Sequence, residues 1–509
     1  MFQYCFLLMI LLFPVLYIAY NIISKTQRFK IPPGPLGFPV VGHLYLLKPR
    51  LHRYLHRISE RYGPFFTLRF GFRRVVVISS YPLVKECFTG RNDIVLSNRP
   101  SFTTNKYISY NHTTIGTSPY NDHWKNVRRI SSVEILSPHR LQSFYHIRRD
   151  EIHRLLKSLA RDNTTNGDNK LNSFKEVELE PLFSDLMTNT LVRMVTGKRY
   201  YGDDVVNKEE AETFKSLIKD AFIQTGVTYP SDYLPFLKFF GNKYEEKVKS
   251  IGKSVDKVLQ RLLDECRKDK EGNTMINHLM SLQDQEPEYY NNVTIKGLMM
   301  SMILPGSDTS SITMAWVMTH VLKHPDVLKK ARAEIDEKIG QDRLIEEQDL
   351  SDLPYLQNIV TETFRLTPVV PVSVSRQASE DIKIGGYDVP RGTIVLINTW
   401  AIHRDPELWN DPEKFYPERF NANKCKTDES LDNIRTLMLF GNGRRVCPGA
   451  GLAQKMITWT VGALVQCFDW ERVNGEEIDT EEATGAVMRK LKPLRGMCRP
   501  RPLMSKLVT

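Results

Sequence analysis

The chain has seven cysteines (Cys5, Cys87, Cys266, Cys425, Cys447, Cys467, Cys498) and no Cys-x-x-Cys among them. The odd number and scattered spacing exclude a disulfide framework and point to a reducing compartment. Zinc-finger spacing and an arginine-rich arm are both missing, so no nucleic-acid partner is expected. No internal repeat and no low-complexity tract breaks the 509 residues. That length exceeds one small domain but suits a single large core. Apolar and charged fractions of 41% and 25% are ordinary for a globular body. A net charge of +11 fits either plain solubility or a basic face meeting an acidic protein or an anionic membrane.

Charge is absent altogether from Met1 to Ser24, and Cys5 to Ile23 is nearly all apolar. That meets the roughly 20 residues a spanning helix needs, and lipid tolerates Pro14 in its middle. Lys25, Arg28 and Lys30 follow, which orients the body to the cytosol. A cleaved signal peptide is the competing reading, but it wants a basic start and a small-residue cleavage site, and neither is present. Residues 1–30 are therefore read as a membrane anchor with a basic linker, and residues 31–509 as one body.

The cluster Ile31-Pro32-Pro33-Gly34-Pro35 cannot be helical and holds an extended geometry at the junction. A helix is expected over Leu51–Tyr62, then strands over Phe65–Phe70 and Arg74–Ile78 joined around Gly71. From Tyr81 onward helical periodicity dominates, strongest at Asp150–Leu159 and Tyr244–Arg267, with a polar loop at Asp162–Lys170. Strand signals return at Ile382–Val389 and Thr393–Asn398. The fold class is mainly α with minor β.

The stretch Phe440-Gly441-Asn442-Gly443-Arg444-Arg445-Val446-Cys447-Pro448-Gly449 sets one cysteine in a glycine-rich, doubly basic loop. Pro448 suits a first helical position, which would put Cys447 at the positive end of a helix dipole and favour thiolate. Such a thiolate serves as nucleophile or as metal ligand, and no cysteine-protease signature surrounds it. Upstream, Glu362 and Arg365 share one helix face; with Arg419 they form a candidate buried, mutually paired network.

Phe440-x-x-Gly443-x-Arg445-x-Cys447-x-Gly449 resembles the haem-binding signature of the cytochrome P450 family at every fixed position. Glu362-x-x-Arg365 resembles the K-helix motif of that family, and Pro417-Glu418-Arg419-Phe420 its arginine partner. The resemblance runs from the anchor to the C-terminus, and is closer to plant microsomal members that oxidise phenylpropanoid, isoflavonoid or indole-glucosinolate metabolites. It implies the cytochrome P450 fold with an N-terminal transmembrane helix in the endoplasmic reticulum membrane. The implied cofactor is haem b, with Cys447 as axial thiolate ligand. Gly443 and Gly449 would allow close backbone approach, while Arg445, Arg376 and the helical pair Trp124 and Arg128 would hold the propionates.

The same resemblance makes Thr309, with Asp308, the proton-handling pair on a long central helix over Gly297–His320. Read from the residues alone, Ser307-Asp308-Thr309 equally fits a helix restarting after Pro305. Pro305 stands where the family has Ala or Gly. It either fixes an existing kink or narrows the space over the haem, and the first is expected. Pocket walls would come from Ser101–Tyr110, Phe222–Tyr233, Met299–Ile303, Val369–Val374 and Ala486–Met488, mostly apolar, which favours a small hydrophobic or aromatic substrate. The implied activity is a monooxygenase inserting one atom of O2, with electrons from NADPH. The chain has no dinucleotide glycine fingerprint in a strand–helix setting, so those electrons come through a separate reductase. A reductase-independent haem-thiolate isomerase or dehydratase, and a non-catalytic membrane-anchored haem protein, are the rival readings.

Overall fold

A computed structural model describes residues 29–162, 173–202, 205, 207–225, 229–240, 243–269, 272–421 and 437–504. The apolar stretch read as an anchor and most of the expected loop at 162–170 lie outside the described residues. Among the described residues no helix is long and apolar enough to cross a membrane.

The proline cluster runs extended and is pinned to the body rather than left as a free linker. The Thr67 N–H donates to the Pro33 carbonyl at 2.8 Å, and Lys30 exchanges hydrogen bonds with Asp388. Gly34 is required there, because a Cβ would lie 2.0 Å from the Thr67 carbonyl oxygen. Helix α1 (Leu51–Tyr62) follows as expected and ends at Gly63, whose φ of 90° only glycine adopts freely. Strands β1 (Phe65–Phe70) and β2 (Arg73–Ile78) pair antiparallel around Gly71.

After two short helices at Tyr81–Cys87 and Gly90–Val95, the chain forms α2 (Thr103–Ile108), α3 (Asp122–Ile130) and α4 (Tyr145–Asp162), then β3 (Lys175–Glu178) and α5 (Leu179–Thr196). Helices α6 (Lys208–Thr225) and α7 (Lys243–Lys268) precede the central α8 (Asn292–Lys323). After α9 (Pro325–Lys338) and α10 (Pro354–Leu366) come β4 (Arg376–Gln377), the hairpin β5 (Ile382–Ile384) and β6 (Tyr387–Val389), and β7 (Ile394–Ile397). Helix α11 (Ala450–Cys467) leads into β8 (Phe468–Glu471) and β9 (Arg495–Pro500). The main sheet has the order β1-β2-β7-β4, with β2 and β7 parallel, and β3-β9-β8 form a second sheet.

Helix α8 is apolar almost all round, so it can only be buried, and it packs against α5, α7, α10 and α11. Its contact with α5 is tight at Gly306, where a Cβ would meet Leu191 Cδ1 at 2.7 Å. The helix runs unbroken through Pro305, so the restart expected of the Ser-Asp-Thr cluster does not occur. Instead the hydroxyls of Ser301, Ser307, Thr309, Thr313 and Thr319 each donate to the carbonyl four residues back. That back-bonding absorbs polar groups that would otherwise compete with the helix.

Candidate active site

The cysteine loop crosses between the sheet end and the start of α11. A single 3-10 turn over Gly443–Arg445 precedes Cys447, whose N–H donates to the Phe440 carbonyl at 2.9 Å. The Phe440 ring meets Phe364 of α10 edge-on at 5.2 Å, which ties the loop to the core. Gly443 is obligatory on two counts: its φ is +69°, and a Cβ would lie 2.2 Å from Asp93 Oδ1. Gly449 has an ordinary backbone, and a Cβ there would only touch the Cys447 sulfur at 4.0 Å.

The structure moves the helix start. Helix α11 begins at Ala450 with Gly449 as its N-cap, so Pro448 is not the first helical position and Cys447 stands outside the first turn. The dipole acts over the terminal turn only, and the expected thiolate-favouring effect is correspondingly weak. Cys447 lies deep yet accessible, and burial pushes its thiol up from the ordinary value. The Gly449 N–H and the Arg128 charge pull it back in part. A cation bound at the sulfur is what would hold it as thiolate.

Four guanidiniums gather around this loop: Arg99, Arg128, Arg376 and Arg445. Arg128 donates to the Val446 carbonyl at 2.7 Å and Arg376 to the Asn442 carbonyl at 2.6 Å. Arg445 donates to Ser97, Ile115 and Ser118 carbonyls, and Arg99 to those of Gly116, Val374 and Ser375. Burial first, then their mutual repulsion, lowers Arg445 to about 9 and depresses Arg99 well below its ordinary value. Burial brings Arg376 to about 10, with Asp93 opposing it. Among the described residues Asp93, which Arg444 also engages, is the one carboxylate acting on any of the four. A cluster of buried cations bonded only to carbonyls is costly unless an anion joins it.

That donor set fits haem: a sulfur to hold iron, and cations for two carboxylates on one edge of the ring. Trp124, expected to reach a propionate itself, is 4% exposed and donates its indole N–H to the Ile115 carbonyl at 3.0 Å. The Arg445 guanidinium lies 4.2 Å from its ring, so Trp124 supports that arginine from below. Arg99 was not legible in the sequence. A lone arginine before Pro100 has no spacing signal, and only the fold brings it to the loop.

The second constellation closes as expected. Glu362 and Arg365, both 0% exposed, pair through two hydrogen bonds of 2.7 and 2.9 Å. Glu362 Oε1 also accepts from Arg419 Nε at 3.0 Å and from the Tyr416 N–H at 2.9 Å. Arg365 spends its remaining N–H groups on the carbonyls of His403, Pro412 and Lys414. Every charge there has a partner, which is the condition for burying it.

On α8, Pro305 is exposed and Gly306, Asp308 and Thr309 are partly accessible in an otherwise buried helix, so this stretch opens to a cleft. The Thr309 hydroxyl donates to the Pro305 carbonyl at 2.7 Å, which leaves its oxygen lone pairs free to accept. Asp308 does not meet Thr309: both its oxygens lie 2.6 Å from one Arg489 nitrogen. Of the expected pocket walls, Met299, Met300, Met302 and Ile303 are part of the buried core. Val369, Val370, Val372 and Val374 are partly or fully accessible.

A family model described as Cytochrome P450 matches residues 32–495. Cytochrome P450 81F1 of Arabidopsis thaliana is 62% identical over 504 residues, covering 99% of each chain. An isoflavone 2'-hydroxylase of Glycyrrhiza echinata is 44% identical over 98% of this chain and 99% of its own. Among solved structures, a zebra fish cytochrome P450 with abiraterone superposes with a TM-score of 0.73 at 25% identity, over 89% of this chain and 99% of that one.

Proposed function

From the premise that this chain belongs to the cytochrome P450 family of haem monooxygenases, we propose that it hydroxylates a hydrophobic or aromatic plant specialised metabolite. It does so while anchored in the endoplasmic reticulum membrane through residues 1–30. The relatives named as isoflavone 2'-hydroxylases support an aromatic substrate, and the accessible valines at 369–374 supply apolar contact for one. The observation that carries the reading is the accessible Cys447 on a loop where four guanidiniums gather, each hydrogen-bonded to backbone carbonyls.

Cys447 would be the iron ligand, and Arg99, Arg128, Arg376 and Arg445 would hold the two carboxylates of the ring, with Trp124 behind Arg445. When bound, haem supplies the electron and dioxygen chemistry. The chain's own residues handle position and protons. Thr309 Oγ1 is fixed by the Pro305 carbonyl with its lone pairs toward the cleft, where it accepts one hydrogen bond and hands on its own proton as it turns. Asp308, held by Arg489, is the adjacent carboxylate that orients the proton path to Thr309. Electrons come from NADPH through a separate reductase.

The reduced, CO-treated holoenzyme is expected to show the red-shifted thiolate absorption band, and Cys447→Ala to abolish it. A histidine-like band in the wild-type protein would refute the ligand assignment. Turnover by microsomes with co-expressed reductase, screened against isoflavone and indole probes, tests the substrate class.

A further inference from the structure

Asp308 belongs to the site, but its partner Arg489 lies on a hairpin that nothing in the haem or cysteine chemistry requires. The hairpin spans Asp479–Leu491 and is closed by a bridge between Glu482 and Lys490, with the Ala483 N–H donating to the Arg489 carbonyl at 2.8 Å. It is held at three levels.

At its outer end Glu482 is 4% exposed and lies between two side chains of α1: the His52 imidazole, with Nε2 at 3.0 Å, and the Arg53 guanidinium, with Nη2 at 2.5 Å. Arg50, which caps α1 in the left-handed region with φ 62°, adds a bond to the Glu482 carbonyl at 3.0 Å and a pair with Glu481 at 2.5 Å. Burial alone would raise the Glu482 carboxyl, but His52 and Arg53 outweigh it and bring it down to about 2. In the middle, the Met488 N–H donates to Val369 at 2.8 Å, and its carbonyl accepts the Trp316 indole N–H of α8 at 2.6 Å. Lys490, itself 5% exposed, lies 5.1 Å over the same indole. At the inner end Arg489 grips both oxygens of Asp308.

Glu482 and Arg489 thus sit one ladder step apart on the hairpin, the first held by α1 and the second holding the Asp308 carboxylate. We propose that Glu482 is a positioning residue for Asp308: its clamp on His52 and Arg53 fixes the hairpin, and the hairpin fixes Arg489 and with it the carboxylate beside Thr309. Helix α1 is the first α-helix after the proline cluster, so the position of the N-terminal part of the body reaches the proton-handling helix through one strut. The inference rests on the reading of Asp308 given above, and adds to it the residues that set where that carboxylate sits.

Coupling of this kind is reciprocal, because each end stabilises the other in the same closed arrangement. Amide hydrogen exchange on the holoenzyme reads it without turnover. Glu482→Gln is expected to speed exchange in residues 479–491 and also in 304–312, and Asp308→Asn to speed exchange in 479–491. Arg53→Gln, at a half-exposed position, gives the same pattern in weaker form and serves if Glu482→Gln folds poorly. Exchange confined to the hairpin in Glu482→Gln would overturn the strut.

The functional readout uses holoenzyme, reductase and NADPH without added substrate, and follows hydrogen peroxide release in H2O and D2O. A carboxylate moved by about an ångström should slow that release by up to roughly a hundredfold and change its solvent isotope effect. Asp308→Asn and Glu482→Gln are expected to shift the isotope effect in the same direction, and Arg489→Lys to retain more of the wild-type value than Arg489→Gln. If Asp308→Asn changes nothing, the reading of Asp308 itself fails. If Asp308→Asn acts and Glu482→Gln leaves both rate and isotope effect untouched, the positioning role fails alone.

Discussion

Glu362 shows what a single residue can be asked to do when it is fully buried. It is the common acceptor for Arg365, Arg419 and the Tyr416 N–H. Replacing it with Gln keeps the shape and removes the charge, leaving two guanidiniums facing each other with no counter-ion. Glu362→Gln should cost about 3–5 kcal/mol, as removal of one member of a buried pair generally does. The urea midpoint of the purified protein, or the fraction recovered folded, reads this directly; an unchanged midpoint would mean the network is open to water. At the same scale the sequence was informative in proportion to spacing. The three-residue interval of Glu362 and Arg365 and the ten-residue cysteine signature carried their own geometry. Arg99, Asp93 and Arg489 had no such interval, and each owes its place to a contact with a distant part of the chain.

Among the elements, α8 departs most from its sequence expectation. Ser307-Asp308-Thr309 fits a helix restarting after Pro305, and the helix instead runs continuously from Asn292 to Lys323 with Pro305 inside it. The Pro305 ring is accessible and faces the cleft, so it meets no packed neighbour helix on that side. The missing N–H still costs the helix one hydrogen bond. Pro305→Ala should therefore stabilise the protein by up to about 3 kcal/mol. It should leave product formed per reductant consumed unchanged, because Gly306 and Thr309 stay in place. A large rise in that ratio would show that the ring obstructs the site. Strand and helix positions elsewhere were legible where periodicity was strong, as in α1 and β1. The start of α11 was misplaced because proline is equally at home just before a helix, and the cap was decided by the Gly449 backbone.

At the scale of the whole molecule, the four arginines make the haem-free chain sensitive to pH. Burial lowers Arg445 to about 9 and Arg376 to about 10, so at these two sites the unfolded chain binds more protons than the folded one above those values. The contribution of these two sites to the stability of the haem-free protein should then grow from about pH 8 upward, against the opposite drift of the buried cysteines and tyrosines. Wild type should therefore gain on Arg445→Gln as pH rises, and a bound dianion should flatten that gain. Urea midpoints of haem-free wild type and Arg445→Gln across that range check it; equal slopes would deny the cluster its cost. What the sequence determined by itself is whatever depends on neighbours along the chain: the apolar N-terminal stretch, the mainly helical class, the Cys447 loop and the Glu362–Arg365 face. What only the tertiary structure decided is where charges without local partners end up. Arg99 joins the cysteine loop, Asp308 turns to Arg489 rather than to Thr309, and Glu482 is clamped by α1. Burial makes each of those charges expensive alone, so each is settled by the nearest group that can compensate it, and that group is hundreds of residues away in the case of Glu482.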